Sequence, residues 1–165
     1  MMERYKILQK EGTLLLSALL LSCTPTPVAT PATPAKIKAT IESSKAPLTL
    51  VHVWATWCDP CRAEFPELME VYNHFKAQGM ELVLISVDEP ADVEFVQAFL
   101  EEHNCPVGSL ISTELSQKFI ETLSPNWAGS LPSSFFYAKG ALAAEWEGKR
   151  TYAQYAEQIE KLLNN

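Results

Sequence analysis

The chain has 165 residues, a net charge of −7, four cysteines and 47% of its residues in the hydrophobic class. That supports one small domain with a core of its own. The acidic balance argues against nucleic acid as a partner and leaves no basic patch for anionic lipid.

The N-terminus reads as a targeting segment. Arg4, Lys6 and Lys10 precede an apolar run, Thr13 to Leu21, that ends in Leu20-Leu21-Ser22-Cys23. The pattern predicts a signal peptide over residues 1–22, since the run is about half of the roughly 20 residues a membrane span needs. Its ending resembles the lipobox of bacterial lipoproteins and makes Cys23 the expected lipidation site, with a cleaved signal and ordinary secretion as the alternative. Residues 23–45 are then a lipid-attached Pro/Thr-rich linker and short lead-in. Four prolines between Cys23 and Ala35 favour extended polyproline II, on the order of 40 Å at about 3.1 Å per residue, and no core. Ile37 and Ile41 fit one face of a short helix or a strand. A single domain is expected over residues 46–165.

Within it, Leu48 to Trp54 is a continuous apolar run rich in β-branched residues, suited to a strand buried on both faces. Phe65, Leu68, Met69, Tyr72 and Phe75 recur at helical spacing from Cys58, and Gly79 closes that segment. Glu81 to Val87 is a second buried strand. Val93, Val96, Phe99 and Leu100 mark a helix ending before Pro106, and Leu115, Phe119 and Leu123 mark another. Phe135 to Ala138 and Leu142 to Trp146 flank Lys139-Gly140 as a hairpin, and Thr151 with Gln154 opens a last helix as a capping box. The order predicts an α/β fold, a mixed sheet of four to five strands with helices on both faces.

Chemistry concentrates in Val53 to Pro66, VWATWCDPCRAEFP. Cys58 falls where the strand gives way to a helix, so free N–H groups and the helix dipole favour its thiolate, the form that attacks disulfides. Cys61, one turn in, can resolve the mixed disulfide. Pro60 suits the first helical turn, where its missing N–H has no partner to lose. Zinc needs about four ligands, and His52, His74 and His103 lie singly and far from the cysteines, so no metal is expected. Asp59 places a negative charge beside Cys58, opposing the thiolate and pointing to a reductant nearer thioredoxin, at about −270 mV, than DsbA, at about −120 mV. Trp57 is an expected contact for protein substrates, and His52 and Trp54 are expected in the core. Trp127 fits either the same surface or a packed loop. Cys105 is expected to be buried and inert.

Together VHVWATWCDPCRAEFPEL, LVLISVDEP, Gly129 to Phe136 and KGALAAEWEG resemble the thioredoxin-like TlpA/ResA group of bacterial extracytoplasmic thiol–disulfide oxidoreductases, over about Leu48 to Leu163. The resemblance implies a thioredoxin-like fold, a cis Pro132 against the active-site disulfide with Leu131 beside it to meet substrate, and a glutamate, Glu64, acting near the thiols. On spacing alone Glu64 is expected to decorate the helix surface. It also implies protein thiols and disulfides as partners, apocytochrome c among the candidates, a membrane electron donor, and no cofactor beyond the Cys58–Cys61 pair. The group's N-terminal β-hairpin has no counterpart here, which weakens a dedicated cytochrome c role. The expected protein is a monomeric, membrane-tethered lipoprotein on the extracytoplasmic side that reduces disulfides in other extracytoplasmic proteins. A binding protein with a static Cys58–Cys61 disulfide is the alternative; a peroxidase of related fold is not matched by W-C-D-P-C.

Overall fold

The computed structural model describes residues 27–164. The expected signal peptide and Cys23 lie outside them.

The central strand β2 (Leu48–Trp54) is buried along its whole length, as its unbroken apolar run requires. It pairs in parallel with β3 (Met80–Ser86) and antiparallel with β5 (Ser133–Ala138). β3 continues to β4 (Ser109–Ser112), and β5 to β6 (Ala141–Glu147) through Lys139 and Gly140, both at positive φ as a two-residue hairpin turn needs. An edge strand β1 (Ala29–Ala32) completes a six-stranded sheet in the order β1-β4-β3-β2-β5-β6. Helices α1 (Pro34–Ser43) and α4 (Gln117–Leu123) pack together, as do α2 (Asp59–Phe75) and α5 (Tyr152–Leu163). α3 (Val93–Glu102) joins the second group, where Trp54, Phe65 and Phe99 meet with ring centroids 4.9 to 5.3 Å apart.

The expected mixed sheet and helices are present, with two corrections. β4, in Ser-Leu-Ile-Ser, is too short and too polar to announce itself. β1 lies inside the stretch expected to be an extended tether, so the fold starts well before residue 46. An edge strand needs pairing on one side only, and there Pro31 loses nothing by lacking an N–H. Ala29 and Ala32 are buried while Thr30 and Pro31 face out. Gln97 clamps the entry, accepting from the Ala29 N–H at 2.9 Å and donating to the Pro27 carbonyl at 2.7 Å. Gly108 is required where it passes, because a Cβ there would stand 2.3 Å from the Val28 carbonyl oxygen. α1 then buries Ile37 and Ile41, settling that pair on a helix capped by Thr33.

β2 and β3 run parallel and both end at the same pole, at Trp54 and Ser86. The segment that follows β2 there carries the two cysteines, in the position where parallel sheets place their sites.

Candidate active site

The turn after β2 is fixed before the helix begins. The Val87 N–H donates to the Trp54 carbonyl at 2.9 Å, tying the two strand ends together. Asp88, buried just past β3, takes the Thr56 N–H at 3.0 Å and the Thr56 hydroxyl at 2.5 Å, and also accepts from the Ser86 hydroxyl. Nothing in the sequence marked Asp88; its partner is 32 residues away and is found only by folding.

Cys58 is the N-cap of α2, and its sulfur accepts from the Cys61 N–H at 3.3 Å. Cys58 and Cys61 form a disulfide with Cα atoms 5.3 Å apart. Cys58 is 6% exposed and Cys61 is wholly buried, so of the pair only Cys58 reaches the surface. Asp59 and Pro60 occupy the exposed first turn.

A groove of about 550 Å³ opens beside Cys58, lined by Trp57, Pro60, Leu115, Ile120, Trp127 and Leu131 among others. Trp57 is 65% exposed, as expected for a surface contact. Trp127 resolves its open alternative by serving both roles. It is buried with its indole N–H donating to Ser133 Oγ at 2.9 Å, and its ring also lines the groove. The Leu131-Pro132 bond is cis, with Pro132 buried and Leu131 at the groove wall.

Behind the disulfide the surroundings are polar and buried. Glu64, three residues past Cys61 and so on the same side of α2, is wholly buried and does not decorate the helix surface. Its Oε1 accepts from the Arg150 N–H at 2.8 Å and the Tyr155 hydroxyl at 2.9 Å. Burial pushes its carboxyl above the usual range, partly offset by these two donors. His52 is buried in β2 directly opposite Ser134 of β5, and its Nδ1 lies 3.0 Å from Ser134 Oγ. Ser134 Oγ is 2.7 Å from the Tyr155 hydroxyl. Burial drives His52 down to about 3, so it is neutral and its 3.9 Å approach to Glu64 is no ion pair. The sequence placed His52 in the core but could not show these partners.

Cys105 is buried 3.5 Å from Met69 Sδ, and burial raises its thiol above the usual value, which suits an inert side chain. Among the described residues no cluster of three or more His, Cys, Asp and Glu could hold a metal, and no helix is long and apolar enough to cross a membrane.

The chain is similar to known redox proteins. It is 40% identical over 55 residues to the thiol-disulfide oxidoreductase ResA of Oceanobacillus iheyensis, a match covering 33% of this chain and 28% of that protein. Against ResA of Bacillus thuringiensis it is 28% identical over 126 residues, covering 76% of this chain and 69% of the relative. A thioredoxin-family thiol:disulfide interchange protein from Chlorobium tepidum superposes with a TM-score of 0.62 at 22% identity, over 85% of this chain and 96% of that one, which supports the thioredoxin-like fold. These likenesses agree with the resemblance carried by the cysteine motif. With residues 26–143 matched by the model of the AhpC/TSA family, which spans both cysteines and the cis proline, the chain belongs to that family.

Proposed function

We propose that this protein is an extracytoplasmic thiol–disulfide oxidoreductase, tethered to a membrane through Cys23, that reduces disulfides in other proteins. The observation that carries this reading is the asymmetry of the pair. Cys58 caps a helix, is the sulfur nearer the outside and borders an apolar groove, while Cys61 is sealed behind it.

In the reduced state the Cys58 thiolate attacks a substrate disulfide, forming a mixed disulfide and expelling one substrate thiolate. Cys61 loses its proton and attacks the Cys58 sulfur, giving the Cys58–Cys61 bond and releasing the second thiolate. Two electrons pass to the substrate. The helix N-terminus and the Cys61 N–H stabilise the attacking thiolate. Glu64 receives the proton that Cys61 gives up, which a buried carboxyl of raised affinity can do. Trp57, Pro60 and Leu131 offer apolar contact to the chain around the substrate cysteine, with the Leu131 backbone available to pair with it as an added strand. Asp59 favours a reducing potential. A membrane electron donor regenerates the dithiol, and disulfides of extracytoplasmic proteins are the substrates.

The test is insulin-disulfide reduction by the purified protein, with the potential of the pair measured in glutathione buffers. Catalysed reduction and a potential nearer about −270 than −120 mV support the proposal. A pair that stays oxidised throughout and exchanges with nothing returns it to a static structural disulfide.

A further inference from the structure

His52, Ser134, Tyr155 and Glu64 close a ring of four contacts inside the molecule, all at 1% exposure or less. Three links are hydrogen bonds: His52 Nδ1 to Ser134 Oγ at 3.0 Å, Ser134 Oγ to Tyr155 OH at 2.7 Å, and Tyr155 OH to Glu64 Oε1 at 2.9 Å, with a longer contact across the ring from Tyr155 OH to His52 Nδ1 at 3.5 Å. The fourth, Glu64 Oε2 to His52 Nε2, spans 3.9 Å and is not a hydrogen bond. Both of those atoms are buried without a partner.

Proton counting sets the direction of the chain. Oε1 already accepts from the Arg150 N–H, and it also accepts the single proton of Tyr155. The Tyr155 oxygen must then receive the Ser134 proton, and Ser134 Oγ must receive one from His52 Nδ1. A neutral imidazole has one proton, so Nε2 is left as a bare acceptor facing Oε2. With Glu64 ionised, three protons serve four links and two acceptors oppose each other in a buried site. One added proton, on Oε2, supplies the missing donor.

We propose that His52 is a positioning residue for exchange, its Nε2 lone pair receiving the hydrogen bond of a proton held on Glu64 Oε2, so that the ring stores one proton a helical turn below Cys61. This rests on the proposed role of Glu64 and adds what sets that carboxyl's affinity. During resolution Cys61 becomes a thiolate and then part of the disulfide, and the proton it loses closes the fourth link; it leaves when the pair is reduced again. The titratable and charged groups facing the Glu64 carboxyl are His52 from β2, Tyr155 from α5, and Arg150 and Lys149 from the connection between β6 and α5. The two basic side chains favour the carboxylate, so the ring works against them.

Two variants test this on the purified full chain carrying carbon-13 glutamate, with the Glu64 carboxyl assigned by its loss in Glu64→Gln. His52→Gln places an amide donor where the lone pair was. Ser134→Ala removes the nearer acceptor of the Nδ1 proton and leaves only the Tyr155 oxygen at 3.5 Å, which weakens that tautomer and favours His52 carrying its proton on Nε2 and donating to Glu64. Both changes favour the carboxylate, and the Glu64 titration midpoint should fall by about one unit, roughly tenfold in proton affinity. The pH profile of disulfide exchange should move down with it. A midpoint unchanged or raised in either folded variant overturns the proposal, and if one variant does not fold the other decides alone. An exchange profile identical in wild type and Glu64→Gln would instead remove the role of Glu64 itself. A shift in Glu64→Gln that His52→Gln fails to reproduce removes only the role of His52.

Discussion

Cys58 and Cys61 share one bond and face opposite surroundings. Cys58 borders an apolar groove with Trp57 exposed at its lip, whereas Cys61 is sealed one helical turn from a buried ring of polar side chains. The difference separates two demands of exchange. A protein disulfide must be met by open apolar surface, while a proton must be held where water does not compete for it. A helix N-terminus serves both because it presents successive residues first outward and then into the core.

The largest break in this comparison comes from the sulfurs themselves. Cys58→Ser should lose insulin-disulfide reduction down to the uncatalysed rate, while Cys61→Ser should retain the first attack and accumulate mixed disulfides on non-reducing gels. Next comes the groove. Trp57→Ala should lower kcat/KM for protein disulfides about tenfold, about 1.4 kcal/mol, and leave the rate with a small dithiol unchanged. Equal losses with both substrates would show that Trp57 shapes the loop rather than binding the protein.

The buried side is sharpened by pH. Glu64→Gln should remove the inflection that a carboxyl of raised affinity imposes on the exchange profile. Stability should respond with opposite signs from the two ring partners. His52 is held at about 3 against its ordinary 6.5, so the unfolded chain binds a proton between those values that the folded one refuses. Its contribution is complete above 6.5 and is lost as pH falls toward 3. Glu64, raised above 4.5, contributes below that value and loses its contribution as pH rises through the folded midpoint. Denaturant midpoints across pH should therefore show an acid slope that flattens in His52→Gln. The smallest effect belongs to Cys105→Ala, for which unchanged activity and a stability loss of about 1 kcal/mol are expected from its buried, unreactive setting.

Much of the framework around the site was legible in the sequence because its signals are local. The C-x-x-C spacing, Pro60 in the first turn, the Lys139-Gly140 hairpin and the Thr151/Gln154 capping box each depend on a few neighbouring residues, and each stands where it was expected. Pro132 came through family likeness, and its cis bond is present. The connections on the buried side were not legible. His52 meets Ser134 across 82 positions and Tyr155 meets Glu64 across 91, so no spacing rule connects them. β1 escaped for a different reason: alanine, threonine and proline lack the apolar alternation that marks a strand, and its place depends on Gly108 and Gln97 elsewhere in the chain.

The most direct measurement is to map the substrate bond in Cys61→Ser. The reduced variant is mixed with a disulfide-bonded protein, quenched in acid and digested, and the sulfur joined to substrate is identified by mass spectrometry. The expected product is a mixed disulfide on Cys58, with Cys105 unmodified. Attachment at Cys105, or no mixed disulfide under conditions in which the wild type reduces the same protein, would contradict the assignment of Cys58 as the attacking sulfur.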